Sequence, residues 1–240
     1  LFFIYIFQKK KSGDKNRIFL YGWFFGFGYF LTNLYWITIS LTYDENFKFL
    51  IPLTLLLIPA FLAIFYGVIT YCFFHIGVKK PLSNIFLFSL LFGVIEFLRG
   101  NVLTGFPWNL IAYSFSYNLE IIQVTSLIGI YAFNTLCISF FISPALFIIR
   151  ENKKEIVACI FFLLSPVVLH IIGSSAIQSF QSLNLIKNDY VIRAVGSKID
   201  LDRFYGNLDT SSAINELIEL SEPDLDTTTL FVWPLSLIHI

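Results

Sequence analysis

Five long stretches without a charged residue constrain this chain more than any other feature of its sequence. They are Ile18–Tyr43, Phe49–Val78, Pro81–Ile95, Ile121–Ile149 and Ile156–Gly173. A helix that crosses a bilayer needs about 20 apolar residues. Four stretches meet or approach that length, and the third does so if its helix continues past Glu96 towards Arg99. Because backbone polar groups in lipid must pair within their own segment, the sequence predicts an α-helical multi-pass membrane bundle.

The composition excludes other classes of protein. The chain is 57% hydrophobic and 13% charged, whereas a soluble domain is about 45–50% apolar and about 25% charged. Soluble globular enzymes and disordered chains are therefore excluded. The 16 basic and 16 acidic residues cancel, so no net field attracts a polyanion, and a nucleic-acid binder is excluded as well.

The basic residues between these stretches predict the orientation in the membrane. Loops 8–17, 79–80 and 150–154 hold ten Lys and Arg residues, whereas the alternate loops hold only Lys48 and Arg99. Lys and Arg are enriched in cytoplasmic loops. The lysine-rich loops are therefore predicted to be cytoplasmic, and the chain after the fifth stretch is predicted to lie outside the cytoplasm.

A small second domain is predicted after the fifth stretch. Residues 174–189 are polar and typical of a linker. Tyr190–Val195 and Thr228–Trp233 are apolar and β-branched, as in buried strands. Between them, Ser211–Leu220 has the apolar spacing of a short amphipathic helix, which Pro223 ends. This order predicts the opening βαβ unit of an α/β domain with a parallel pair of strands.

Glu96 and Arg99 carry the first functional hypothesis. A carboxylate within an apolar span is costly, and such a residue marks a functional site by default. Arg99 lies three positions further on, so both side chains can share one helix face. A local ion pair at the membrane edge explains the same two residues equally well.

Gly100–Tyr113 follows directly, with the sequence GNVLTGFPWNLIAY. It is apolar and uncharged, but Gly105 and Pro107 disfavour a straight helix. A re-entrant or interfacial arm suits such a stretch, with Phe106 and Trp108 at the depth of the lipid headgroups. A plain extracytoplasmic loop is the alternative, but it gains little from exposing aromatic side chains.

The remaining candidate residues favour packing over chemistry. Cys72, Cys137 and Cys159 lie within predicted spans, which argues against a disulfide. The histidines lack the spacing of metal ligands, so the sequence predicts no metal site and no cofactor. Gly22 and Gly26 form a GxxxG pattern, which favours close contact between helices.

The stretch Glu96–Tyr113, EFLRGNVLTGFPWNLIAY, resembles the apolipoprotein N-acyltransferases. These are bacterial inner-membrane enzymes of the nitrilase superfamily, and E-F-L-R-G…L-T-G-F-P-W is their most recognisable membrane-domain signature. Further stretches resemble the family more weakly and in the same order. They are Gly22–Ser40, Ile128–Leu136, Val191–Ile199 and Leu230–Pro234.

The resemblance implies an eight-span bundle and a periplasmic nitrilase-like domain of αββα fold. Members take an acyl chain from a phospholipid and transfer it to the α-amine of a diacylglyceryl-cysteine on a lipoprotein. The reaction passes through a thioester on a Cys, with a Glu as general base and a Lys that stabilises the oxyanion. By resemblance, four residues are assigned to substrate positioning beneath the cleft of that domain: Glu96, Arg99, Phe106 and Trp108.

The expected catalytic residues are missing from this stretch of chain. The family's Glu follows Trp-Pro directly, whereas Trp233 and Pro234 are followed here by Leu235. The Lys and the Cys are expected beyond Ile240, so we expect this chain to be inactive on its own. The family's Q-x-N-I-P stretch reads Gly196–Asp200 here. We therefore expect the first strand to be kept but do not expect the family's local contacts after it.

Both ends lead us to expect a piece of a longer protein. The chain starts at Leu1 and contains no Met, and Leu1–Phe7 is typical of the end of a further span. Residues 235–240, LSLIHI, can be encoded by the mosaic-end adaptor of transposase-based sequencing libraries, so we expect a non-native tail; a divergent natural C-terminus is the alternative. The chain is predicted to divide into a transmembrane helical domain, a linker and the opening part of a nitrilase-like domain, at 1–173, 174–189 and 190–234.

Two other classes of function stay open beside the acyltransferase. A non-catalytic homologue that binds lipids or lipoproteins fits if Leu235 is native. A transporter would carry paired charges deep in several spans and broken helices in symmetric halves, a pattern that only Glu96 approaches. The sequence favours the enzyme, in the bacterial inner membrane, with a phospholipid acyl donor and a diacylglyceryl-lipoprotein acceptor as partners.

Overall fold

The chain forms two units in the computed structural model, Leu1–Ser182 and Leu183–Ile240. The structure describes residues 1–13, 15–78, 80–103, 105–183, 190–196, 210–224, 226 and 228–233. The first unit is helical, and the second combines a helix with two strands.

Eight α-helices build the described part of the first unit. They are α1 (Phe2–Ser12), α2 (Ile18–Leu34), α3 (Ile51–Ile76), α4 (Pro81–Asn101), α5 (Leu119–Ile122), α6 (Thr125–Ile142), α7 (Leu146–Ile149) and α8 (Lys153–Gln181). Short 3-10 helices extend or connect them at Tyr35–Thr42, Glu45–Leu50, Ile111–Phe115 and Ser143–Ala145.

Five helical segments are long and apolar enough to cross a membrane. They are Ile18–Thr42, Glu45–Ile76, Pro81–Asn101, Thr125–Ile149 and Lys153–Gln181. These segments coincide with the five charge-free stretches, so the predicted long apolar helices are confirmed as five candidate membrane spans. The third segment continues through Glu96 to Asn101, as its length required.

The end of α8 differs from the prediction. The polar composition of 174–189 predicts a linker, but α8 continues to Gln181. The hydroxyls of Ser175 and Ser179 donate to the carbonyl oxygens four residues before them, at 3.1 and 2.8 Å. Because these side chains are satisfied by their own helix, a polar composition does not end it here. Residues 184–189 lie outside the described part of the chain.

Helix α2 packs closely on α3 in the first unit. Gly22 and Gly26 face this interface, where a Cβ atom added at Gly26 would lie 2.8 Å from the Cβ atom of Tyr66. The hydroxyl of Thr70 on α3 donates to the carbonyl oxygen of Ile18 on α2 at 3.0 Å. The GxxxG pattern therefore serves helix packing, as the sequence indicates.

The second unit contains a parallel pair of strands with a helix between them in sequence. Strand β1 (Tyr190–Ala194) pairs with β2 (Thr228–Val232), and α9 spans Thr210–Ser221. The predicted strands, the helix and the parallel pairing are thus present. Residues 197–209 and 234–240, which include most of the altered stretch after the first strand and the expected non-native tail, lie outside the described residues.

The variant Gly22→Ala tests the packing of α2 on α3. A Cβ atom at this position overlaps the carbonyl oxygen of Tyr66, and overpacking of this kind costs about 1–3 kcal/mol. We therefore expect a lower thermal unfolding midpoint in detergent micelles. Gly28→Ala is the matched control on the same helix, where the added Cβ meets open space. It should keep or raise the midpoint, since Ala favours helix over Gly by about 1 kcal/mol; equal midpoints for the two variants would contradict the packing role.

Candidate functional site

A fully buried ion pair lies near the end of α4. The side chains of Glu96 and Arg99 are both 0% exposed, and Arg99 Nη2 donates to Glu96 Oε2. Their spacing places both on one helix face, as predicted. Neither side chain is exposed at the outer surface of the protein.

The segment after α4, residues 102–115 (the arm), folds back onto the ion pair. Arg99 Nη1 donates to the Phe106 carbonyl oxygen at 2.7 Å, and Arg99 Nη2 donates to the Trp108 carbonyl oxygen at 2.9 Å. The guanidinium Cζ atom also lies 5.2 Å from the ring centroid of Phe30 and 5.9 Å from that of Phe106. One side chain thus satisfies two carbonyl groups of a segment that lacks helical partners of its own.

Gly105 makes the turn that returns the arm to α4. Its φ angle is +75°, which L side chains rarely adopt. A Cβ atom there would also lie 2.6 Å from the carbonyl oxygen of Gly100. The return is closed by the Phe106 N–H, which donates to the Arg99 carbonyl oxygen at 2.9 Å. The arm is therefore not α-helical, as the Gly and Pro residues predict. The predicted stretch differs at its ends, because Gly100 still belongs to α4 and Ile111–Phe115 forms a 3-10 helix.

Two side chains that the sequence analysis missed also hold the arm. The Tyr29 hydroxyl, on α2, donates to the carbonyl oxygen of Asn109 at 2.8 Å. The Asn134 side chain, on α6, accepts from the backbone N–H of Ala112 at 2.9 Å through Oδ1. A buried amide inside an apolar span was the available signal for Asn134; Tyr29 gave none, since tyrosines are frequent in this chain.

Tyr66 completes a polar cluster around the ion pair. Its side chain is buried, and its ring centroid lies 5.1 Å from that of Phe30, the ring that also faces the Arg99 guanidinium. Within the described residues, Tyr66 Oη, Glu96 Oε1 and Arg99 Nε have no hydrogen-bond partner. The cluster therefore brings a carboxylate, a guanidinium and a phenol together in apolar surroundings.

Two apolar cavities are lined by different parts of the arm. The larger, of about 950 Å³, is lined by residues 109–111 and 113–114 of the arm together with Tyr29 and Asn33 of α2 and apolar residues of α1, α4 and α6. The smaller, of about 420 Å³, is lined by residues at the start of the arm, by α3 and by Arg99 of α4. Partial burial raises the pKa of the Tyr113 hydroxyl at the larger cavity above its ordinary value.

The predicted site residues are only partly brought together. Glu96, Arg99 and the half-buried Phe106 form one cluster, whereas Trp108 joins it only through its carbonyl oxygen. The Trp108 side chain is 55% exposed, and its ring centroid lies 5.6 Å from that of Trp36. Leu235, at the expected position of the catalytic Glu, lies outside the described residues.

The fold and this cluster define a protein with five candidate membrane spans, in which a buried ion pair supports an arm that interrupts the α-helices. The family model for the apolipoprotein N-acyltransferase N-terminal domain matches residues 1–143, which include the arm and every residue of the cluster. The chain belongs to the apolipoprotein N-acyltransferase family.

Relatives named apolipoprotein N-acyltransferase match different lengths of the chain. That of Rhizobium etli is 38% identical over 152 residues, which cover 62% of this chain and 28% of the relative. The relative from Rickettsia bellii is 38% identical over 130 residues, which cover 54% of this chain and 26% of the relative. That of Rickettsia prowazekii is 32% identical over 240 residues, which cover 95% and 45%. The chain thus spans less than half the length of these relatives.

Variants of Arg99 can separate its two roles, which are to neutralise Glu96 and to hold the arm. Arg99→Met leaves the buried Glu96 carboxylate without its partner and removes the donor to two partly buried carbonyl oxygens of the arm. We therefore expect a loss of about 3–5 kcal/mol in the free energy of unfolding. The double variant Glu96→Leu/Arg99→Met removes both charges. It should recover only part of the loss, because the carbonyl groups of Phe106 and Trp108 remain without a donor.

Unfolding in mixed micelles, followed by circular dichroism, measures both effects. Lys48→Met is the control, since it removes only an exposed pair with Glu45 and should change stability by less than about 1 kcal/mol. Complete recovery in the double variant would show that Arg99 does not hold the arm.

Proposed function

We propose that this chain is part of an enzyme that transfers an acyl chain from a phospholipid to the N-terminal diacylglyceryl-cysteine of a lipoprotein. The observation that carries the proposal is the arm. The stretch with the family's signature, Glu96–Tyr113, builds the polar cluster and also lines the larger cavity. The identity with the Rickettsia prowazekii relative over 95% of the chain supports the same assignment for both units.

The larger cavity is the proposed binding volume for an acyl chain. Pockets of about 300–1,000 Å³ bury most of a drug-sized ligand, and this cavity of about 950 Å³ is lined mainly by Phe, Ile and Leu side chains. Tyr29, Asn33 and Asn109 supply polar groups at its wall. Such groups suit the ester oxygens of a lipid, while the apolar wall suits its chain.

The second unit is proposed to be the start of a nitrilase-like (CN hydrolase) domain. In the reaction, a Cys thiolate attacks the phospholipid ester, a lysophospholipid leaves, and a thioester remains. The lipoprotein amine then attacks the thioester, which returns the thiolate and yields the amide. The catalytic Glu would follow Pro234, in place of Leu235, and the Lys and Cys would follow later in the parent protein. The chain alone is therefore proposed to be inactive.

The proposed location is the bacterial inner membrane, with the second unit in the periplasm. The distribution of Lys and Arg supports this orientation, because the alternate loops differ so strongly in positive charge. Within the membrane part, Glu96 and Arg99 act on substrates through the arm, since both are fully buried. The exposed Trp108 ring is the part of this group that can meet a lipid headgroup.

A non-catalytic homologue that binds lipids or lipoproteins is the second candidate function. The specific observation in its favour is Leu235, which cannot act as the general base that the reaction needs. The cavity and the arm serve this alternative equally well, because binding requires no catalytic group.

The source DNA at the codon after Pro234 separates these two functions. The proposed enzyme requires a Glu codon there. The protein translated from that DNA should then transfer a radiolabelled acyl chain from phosphatidylethanolamine to a synthetic diacylglyceryl peptide, and its Lys48→Met control should do so equally well. The 240-residue chain should give no product. A native LSLIHI followed by a stop codon would favour the binding homologue.

Photolabelling tests the proposed acyl-chain cavity without catalysis. We expect a phosphatidylethanolamine with a diazirine in its acyl chain to label Phe88, Phe92 or Ile138, inward-facing residues of the cavity wall, in nanodiscs that contain the chain. Ser114→Trp should reduce this labelling severalfold, because the indole fills the cavity. Ser126→Trp, on an exposed part of α6, is the matched control. Equal labelling in the two variants, measured by mass spectrometry of peptides, would contradict the assignment.

A further inference from the structure

The arm is held by side chains from three different helices. Arg99 on α4 binds two of its carbonyl oxygens, Tyr29 on α2 binds a third, and Asn134 on α6 binds the N–H of Ala112. Buried backbone groups outside regular structure are costly unless they are paired. Each of these bonds therefore selects one position of the arm over others.

Asn134 lies in surroundings that do not suit an amide. Its side chain is 0% exposed, and the neighbouring Phe133 packs in an apolar cluster with Leu110 and Ala112. A buried amide is unfavourable in such a place unless its hydrogen bonds compensate. Its Nδ2 atom has no partner among the residues that the structure describes. The bond from Ala112 to Oδ1 is thus the contact that explains an amide at this position.

That bond lies directly behind the wall of the larger cavity. Ala112 is buried, whereas its neighbours Leu110, Ile111 and Tyr113 all line the cavity. Asn109, whose carbonyl oxygen accepts from Tyr29, lines it as well. A shift of the arm at either bond would therefore change the shape of the cavity.

We propose that Asn134 and Tyr29 are positioning residues that fix residues 109–114 as a preformed wall of the larger cavity. This inference rests on the proposed function, in which that cavity holds the acyl chain of a lipid. Both residues act through the backbone of the arm. The arm is then part of the binding site before the lipid arrives, which reduces the ordering cost of binding.

Hydrogen exchange of the arm tests this inference in the full 240-residue chain in nanodiscs. Asn134→Leu removes the acceptor at similar volume, so amide exchange in 109–114 should accelerate by about tenfold, the factor for one lost hydrogen bond. Asn134→Gln keeps an uncharged amide acceptor and should restore part of the protection. Tyr29→Phe keeps the ring and should accelerate exchange in the same segment. Ser139→Ala is the control, because its hydroxyl donates within α6 to Thr135.

The photolabelling probe supplies a second readout that a purely structural role would not move. Asn134→Leu should reduce labelling of Ile138 by the diazirine phospholipid, whereas Ser139→Ala should not. Unchanged exchange in 109–114 would overturn the inference, and so would acceleration spread over all helices. Absent labelling of the cavity in the unsubstituted chain would count against the proposed lipid site instead, and the exchange result would still decide whether Asn134 holds the arm.

Discussion

The arm depends on one requirement, that backbone groups in apolar surroundings form hydrogen bonds. A helix meets this requirement internally, but the arm cannot, because Gly105 and Pro107 interrupt the helical pattern. Arg99, on α4, supplies the missing hydrogen bonds with its planar guanidinium group, which donates to two carbonyl oxygens of the arm at once. Glu96 neutralises the positive charge of the buried Arg99 guanidinium. The contacts of the ion pair therefore stabilise the arm. Under the proposed function, the pair affects lipid binding only because it holds the arm in place.

The five spans were predictable because their length and lack of charge are local properties. The arm was predictable for the same reason, since Gly and Pro disfavour helix within a short window. The partners of the arm were not. The bond from Tyr29 to Asn109 joins residues 80 positions apart, and that from Ala112 to Asn134 joins residues 22 apart. A pattern within one stretch carries no information about a partner in another.

At the end of α8, by contrast, a property of the local sequence led to a wrong prediction, because the helix continues into the predicted linker. Composition indicates a linker where polar residues begin, but serine side chains can bond to their own helix and remain in it. The family match includes the whole polar cluster and ends at residue 143. The site in the first unit therefore rests on sequence, geometry and family together, whereas the role of the second unit rests on its strand pairing and on one long alignment.

The contacts of Arg99 have a consequence for how this stretch can change during evolution. Lysine would keep the positive charge but would lose the planar fork that serves Glu96 and two carbonyl groups together. Replacement of Glu96 alone would leave a buried cation, and a side chain at Gly105 would open the turn that brings the carbonyl groups to Arg99. Each single replacement is therefore expected to destabilise the protein. We therefore expect the residues of the ion pair and of the arm to change together during evolution and not one at a time.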